Sequence, residues 1–179
     1  MKKKVVIVGG VAGGASAAAR LRRLDEKAEI ILLEKGEYIS YANCGLPYYI
    51  GNVITKRDRL FVQTPQGFRN RFNVEVRTGH EVLSIDRERK TVEVKVVAGG
   101  KVYQETYDTL LLSPGAAPIR PKIPGLDGEN VFTLRNIYDT DRLKKYLSDH
   151  QPQKAIVIGA GFIGLEIAEN LVKAGLEVS

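Results

Sequence analysis

Apolar residues run through the chain in two periods. Lys4–Val8 (KVVIV) and Glu29–Glu34 (EIILLE) are short unbroken apolar runs of the kind a parallel strand buried on both faces requires. Between them, Gly13–Leu24 carries small and apolar residues at helical spacing, so the chain opens as strand, helix, strand. An irregular segment around Cys44 follows, then a short helix from Thr64, whose Pro65 suits a first helical turn. Val74–Arg77, Glu81–Asp86, Thr91–Ala98 and Lys101–Asp108 alternate in character, the last two joined through Gly99-Gly100, and predict a small antiparallel layer. The apolar run Thr109–Leu112 closes that section.

Pro114, Pro118, Pro121 and Pro124 make a stiff extended connector between Ser113 and Gly128, the strongest candidate boundary. Beyond it the pattern predicts a helix over Asp139–Asp149, a strand over Ala155–Ile158 and a helix over Gly161–Ala174 with Leu165, Ala168, Leu171 and Val172 facing inward. A further strand begins before Ser179. One strand, one helix and part of another strand cannot bury their own faces, so the pattern reads as part of a protein more than twice as long. The expected division is a nucleotide-binding domain over 1–115, a connector and helix over 116–150, and the incomplete start of a second nucleotide-binding domain over 151–179.

Composition narrows the chemistry. Of 179 residues 44% are apolar, enough for a sizeable core, and 27 Lys+Arg against 21 Asp+Glu leave a net charge of +6. That mixed balance suits a polyanionic small ligand; no basic stripe with interleaved aromatics points to nucleic acid. A single cysteine, Cys44, excludes a disulfide framework, and the distant His80 and His150 offer no zinc-ligand spacing. Met1-Lys-Lys-Lys ahead of the apolar Val5–Ala19 has the outline of a secretory leader. Gly9, Gly10, Gly13 and Gly14, and then Arg20, Arg22 and Arg23, break it up, so a cytoplasmic protein is expected. No stretch approaches the roughly 20 apolar residues that cross a bilayer.

Two glycine turns carry the nucleotide signal. Gly159-Ala-Gly161-Phe162-Ile163-Gly164 matches GxGxxG between an apolar strand and a helix. In that pattern the first glycine permits the tight turn, the second admits a pyrophosphate to the backbone, and the third allows close helix–strand packing. The earlier turn, Gly9-Gly10-Val11-Ala12-Gly13-Gly14, departs from the pattern with Val11 at the middle glycine. Glu34, 20 residues after Gly14 at the end of the second strand, stands where a carboxylate accepts a ribose hydroxyl pair. The acid belonging to the second turn would lie past the last residue, which leaves NADH and NADPH both open. Cys44, flanked by Asn43 and Gly45 and not by aliphatic residues, sits where a short helix could begin, and helix N-terminal amides stabilise thiolates.

Four segments together carry a family resemblance: Gly9–Arg23 (GGVAGGASAAARLRR), Ser40–Ile50 (SYANCGLPYYI), Thr109–Pro118 (TLLLSPGAAP) and Gly159–Gly164. The chain resembles the N-terminal part of the pyridine nucleotide-disulfide oxidoreductases, in the branch of coenzyme A-disulfide reductases and NADH oxidases/peroxidases, which has one redox cysteine where dithiol members have two. The resemblance implies an α/β chain with a Rossmann-like three-layer (β-β-α) fold, two nucleotide-binding domains, the first for FAD, and a homodimeric flavoenzyme. Its cofactors would be FAD and NADH or NADPH, with coenzyme A as substrate or as a mixed disulfide on Cys44. FAD would be held by Gly9–Gly14, Glu34, Lys35, Asn43, Val82 and Ser113-Pro114-Gly115, the last departing from the family's usual Ala-Thr-Gly; Gly159, Gly161, Phe162, Ile163 and Gly164 would hold the nicotinamide nucleotide. The positions matching the family's thiol-nucleotide contacts are Ser16, Arg20, Arg23, Ser40, Asn43, Gln63 and Arg71. Asn before Cys44 resembles the coenzyme A users, where peroxidases and oxidases usually have Ser. The expected partner is a small disulfide, persulfide or polysulfide. The alternatives are an oxidase or peroxidase acting through a sulfenic acid on Cys44, and a non-catalytic flavin or nucleotide module. His80 reads as structural.

Overall fold

The computed structural model describes residues 3–179; Met1 and Lys2, with which the basic start opens, lie outside them. The chain divides into two compact units, one running to Tyr41 and resuming over Phe61–Gly115, the other made of Ala42–Leu60 and Ala116–Ser179.

The first unit has three layers. Strands β1 (Lys4–Val8), β2 (Glu29–Glu34), β3 (Glu75–Thr78) and β7 (Thr109–Leu112) form a parallel sheet in the order β3-β2-β1-β7. Period-2 side-chain alternation splits its apolar residues between two cores. Val5, Ile7, Ile30 and Leu32 pack on one face with Ala15 and Ala18 of α1 (Gly13–Leu24) and Phe68 of α3 (Pro65–Phe72). On the other face, Val6, Ile31 and Leu33 meet Val92 and Val94 of β5 (Thr91–Val96), the central strand of an antiparallel sheet with β4 (His80–Asp86) and β6 (Val102–Thr106). The expected β-β-α layering is therefore present. β1, α1, β2 and β7 have the boundaries read from the sequence, and β5 turns into β6 through Gly99 and Gly100, both at positive φ. Thr64 caps α3, its Oγ1 accepting from the Gly67 amide at 3.0 Å.

One ion cluster ties the layers. Glu105 on β6 accepts Lys4 Nζ of β1 at 2.5 Å and Arg77 Nη1 of β3 on its other oxygen. Burial pushes the Glu105 carboxyl up, but hydrogen bonds from Lys4 and then Arg77 outweigh it and hold the group below the usual carboxylate range. A depressed folded-state value means that this stabilisation is present above the unfolded pKa, about 4.3, and is lost as pH falls through the folded one. Glu105→Gln is expected to cost on the order of 2 kcal/mol at neutral pH and to flatten the acid limb of the stability curve. Denaturant melts at pH 7 and pH 3 check this: an unchanged acid limb would show that other carboxylates dominate it.

The second unit contains α2 (Leu46–Ile50), α4 (Ile137–His150), α5 (Phe162–Lys173) and the parallel pair β8 (Lys154–Ala155) and β9 (Glu177–Val178). Ile50, Ile167 and Leu171 form its core, with Leu143 and Leu147 of α4 against it. Two differences from the sequence pattern appear here. The strand expected over Ala155–Ile158 is reduced to Lys154–Ala155, and Ile156 and Ile158 are exposed. On α5 the inward residues are Ile167, Asn170 and Leu171, the last as expected, whereas Leu165 and Val172 are exposed: Ile50 of α2 packs with Ile167 and Leu171, and the two short strands leave the rest of the helix uncovered. No helix among the described residues is long and apolar enough to cross a membrane.

Candidate functional site

Each glycine turn is built from the same contact. Gly9 and Gly159 adopt φ of +93° and +109°, which L side chains rarely do. A Cβ on Gly14 would lie 1.7 Å from the carbonyl oxygen of Gly9, and one on Gly164 would lie 1.9 Å from that of Gly159. The first and last glycine of each turn therefore let the helix start against the end of its strand. Gly161 has a φ of −73°, and a Cβ there would have nothing within 4 Å, so neither strain nor crowding requires glycine at this position. In a turn of this pattern the middle glycine keeps open the approach of a pyrophosphate to the backbone. Phe162 and Ile163 follow it, both exposed.

In the first unit Val11 occupies that middle place, half-buried, and Ala12 caps α1 without a side-chain hydrogen bond, which leaves the opening of the 12-residue helix to its own amides. Glu34 turns back onto this loop: Oε2 accepts the Gly10 amide at 2.7 Å and Oε1 accepts the Gly36 amide at 2.8 Å. Both oxygens are thus fixed at the end of β2 and keep lone pairs for further donors. Ser113 lies beside the same turn, its backbone oxygen 2.0 Å from a Cβ built on Gly9 and its Oγ 2.4 Å from one on Gly13; Pro114 and Gly115, the latter at φ +74°, lead away from it. The residues fit an FAD dinucleotide: a glycine turn, a helix opening and a carboxylate share one end of the sheet. Lys35 Nζ donates to Glu81 at 2.6 Å, a hydrogen bond that holds the Glu81 carboxyl below its usual range. Val82 turns its side chain toward the second core from β4, an edge strand with one side of its main chain outside the ladder.

Four of the residues matched to a thiol nucleotide line one cavity of about 350 Å³ in this unit: Ser16, Ser40, Gln63 and Arg71. Alanines of α1 and the rings of Phe68 and Phe72 supply its apolar wall. Ser40 is held at φ +47°, its amide donating to Gly10 O at 2.9 Å and its carbonyl accepting from Val62 at 2.8 Å. Arg20 and Arg23 lie on the exposed side of α1 and do not line this cavity. Arg22 between them is structural: its guanidinium N–H groups reach the carbonyls of Phe72, Asp25, Glu26, Ala28 and Asn73. His80 is held by Thr78 O at 2.8 Å and packs edge-on against Tyr103.

In the second unit Cys44 is a free, exposed thiol in a 3-10 turn, Asn43–Gly45, with Asn43 exposed beside it. The helix expected at the cysteine is present but only five residues long, and the amides nearest its start are turned to backbone carbonyls. The Gly45 amide donates to Ala42 O at 2.9 Å, that of Leu46 to Asn43 O, and Pro47 has none. What fixes the segment is supplied from elsewhere in the chain. Arg57, in the turn that ends it, pairs with Asp141 of α4 through Nη2 at 2.8 Å and Nε at 2.9 Å. Lys144 of α4 grips residues 49–52, and Asn170 of α5 abuts Gly51. The sequence pattern gave no sign of these anchors, since Asp and Lys three apart on a polar helix read as a solvated face.

The sequence pattern of the family described as pyridine nucleotide-disulphide oxidoreductase matches residues 3–179. The coenzyme A disulfide reductase of Staphylococcus epidermidis is 45% identical over 176 residues, 98% of this chain and 40% of that protein. Among solved structures, reduced CoADR-RHD of Bacillus anthracis superposes with a TM-score of 0.96 at 57% identity, over 99% of this chain and 32% of that one. An NAD-dependent persulfide reductase from A. fulgidus superposes at 0.92 with 39% identity, over 98% and 32%. The chain therefore spans about two fifths of the length of the curated relatives it matches. With that match over its described length and both glycine turns in place, the chain belongs to the pyridine nucleotide-disulphide oxidoreductase family.

Proposed function

We propose that the protein is an FAD-dependent NAD(P)H:disulfide oxidoreductase that reduces coenzyme A disulfide or a related small disulfide, persulfide or polysulfide through Cys44. The observation that carries this reading is a sole cysteine, exposed, in a segment held by the Arg57–Asp141 ion pair and by Lys144 on its backbone carbonyls. A buried cysteine would be a small hydrophobe; an exposed one in a fixed segment is available for chemistry. The relatives named for coenzyme A disulfide and persulfide reduction support the substrate class.

FAD, when bound, would take hydride from the reduced nicotinamide and pass the electron pair to sulfur. Gly9–Gly14, Glu34 and Ser113-Pro114-Gly115, with Lys35, Asn43 and Val82, would hold it; Gly159–Gly164 would hold the nicotinamide nucleotide. In the resting cycle Cys44 carries a mixed disulfide with the substrate thiol. Two electrons cleave that S–S bond, releasing one thiolate, which takes a proton, and leaving Cys44 as thiolate. Cys44 then attacks one sulfur of the next disulfide, forming the new mixed disulfide and expelling the second thiolate. Ser16, Ser40, Gln63 and Arg71 would bind the nucleotide part of the thiol, the Arg71 guanidinium matching its phosphates. Arg20 and Arg23, outside the cavity, would add to the positive field that draws such an anion in. The complete protein would act as a homodimer on a small soluble substrate in the cytoplasm.

Mass spectrometry of Cys44 in the protein as purified tests the substrate. An added mass equal to coenzyme A is expected. One added oxygen, as sulfenic acid, would move the reading to peroxide or oxygen reduction.

A further inference from the structure

Cys44 lies in the 3-10 turn Asn43–Gly45, which runs directly into α2, so the position of the sulfur is tied to that helix. The last turn of α2 is gripped by a cation from α4 in addition to the backbone amides that follow it. Lys144 Nζ lies 2.5 Å from Tyr49 O, 3.2 Å from Ile50 O and 2.6 Å from Asn52 Oδ1, which accounts for all three ammonium hydrogens. The ammonium also stands 4.7 Å from the centre of the Tyr49 ring. Tyr48 O accepts the Val53 and Ile54 amides at 2.9 and 3.0 Å and Tyr49 O the Asn52 amide at 3.3 Å; Lys144 adds a charged donor to Tyr49 O and Ile50 O, where a cation opposes the helix dipole. From the other side Gly51 meets Asn170, whose Oδ1 lies 2.6 Å from a Cβ built at Gly51; Asn170 is fully buried and its Nδ2 donates to Glu166 O at 2.8 Å.

Asp141, one helical turn before Lys144 on α4, grips Arg57 in the same segment, so one face of α4 fixes residues 49–52 and the turn at 57 together. Burial also pushes the Lys144 ammonium below the ordinary lysine range. Such a group is retained where its hydrogen bonds matter.

We propose that Lys144 is a positioning residue for the cysteine half-reaction: by capping α2 it sets the line of approach of the Cys44 sulfur without touching substrate. The proposal rests on Cys44 being the redox thiol. Displacing a reacting atom by about 1 Å can cost up to about 10²-fold in rate.

The test uses flavin-loaded protein with coenzyme A disulfide as substrate. Lys144→Met keeps the stem and removes the charge and the three donors. It is expected to lower kcat for disulfide reduction by about 10-fold while the rate of flavin reduction by NADH, measured in single turnovers, stays within about two-fold. Asn52→Gly, which suits the φ of +62° at that position and removes one acceptor, should lower kcat by about two- to five-fold with the same split. Turnover by Lys144→Met within two-fold of the parent, or equal losses in both steps, would overturn the proposal. If Lys144→Met does not accumulate as folded protein, the same reading of Asn52→Gly decides. Cys44→Ser run in parallel separates the two readings, since disulfide turnover surviving in that variant removes the thiol role itself.

Discussion

Gly14→Ala is expected to lose the folded first unit at physiological temperature or to melt at least about 10 °C below the parent. The atom that a new Cβ meets is the backbone oxygen of Gly9, 1.7 Å away, with the Gly9 carbonyl carbon at 2.9 Å. A flexible side chain could swing clear; a carbonyl at the end of a central strand cannot. Gly9 is itself pinned by its amide to Leu33 O at 2.8 Å and by the Ser113 oxygen on its far side. Relief therefore requires α1 to move away from β1, which opens the contact of Ala15 and Ala18 with Val5 and Ile7. Overpacking against side chains costs about 1–3 kcal/mol, and against fixed backbone the cost should exceed that range. Native stability is about 5–15 kcal/mol, so the loss is a large share of it. Gly161→Ala is the contrasting substitution. With no neighbour within 4 Å and an ordinary φ, it should melt within about 2 °C of the parent while weakening nicotinamide nucleotide binding. Differential scanning calorimetry with NADH titration checks both. A Gly14→Ala protein of parental stability would show that the helix–strand contact is not tight in solution.

The glycine turns show how much is legible in the sequence. Gly9, Gly14, Gly159 and Gly164 stand out because a strand-to-helix turn leaves a glycine spacing that nothing else explains, and the buried strands stand out as unbroken apolar runs such as Ile30–Leu33. The alternation in Thr91–Ala98 likewise puts Val92 and Val94 on one face, and both are buried. Interactions between distant residues leave no such trace. Lys4, Arg77 and Glu105 come from three strands far apart in sequence, and Arg22 sits between two arginines that face solvent. Gathering of Ala42–Leu60 with α4 and α5 depends on Asp141, Lys144 and Asn170, each ordinary in its local sequence. On α5 the helical period is right and the buried face only partly so, Leu171 being buried while Leu165 and Val172 are exposed, because a period fixes which residues share a face but not which face finds a partner.

Cys44→Ser is expected to reduce turnover of coenzyme A disulfide by at least about 10³-fold while leaving reduction of the flavin by NAD(P)H close to parental. A serine hydroxyl stays protonated at neutral pH and cannot form the S–S bond through which electrons leave, and the 179 residues hold no second thiol to replace it. The loss should fall on kcat, since Ser16, Ser40, Gln63 and Arg71 still line their cavity and the substituted residue is not among its walls. The substitution is close to isosteric at an exposed position and should leave stability within about 0.5 kcal/mol, so lost turnover cannot be assigned to unfolding. Stopped-flow flavin reduction followed by mixing with the disulfide resolves the two halves: a variant that reduces its flavin at the parental rate and then holds the electrons has lost only the sulfur step. Disulfide turnover within about 10-fold of the parent would require electrons to reach the substrate without a covalent sulfur intermediate on this residue. The chain would then be a reductase acting by direct transfer from flavin, with the exposed thiol left as a structural bystander.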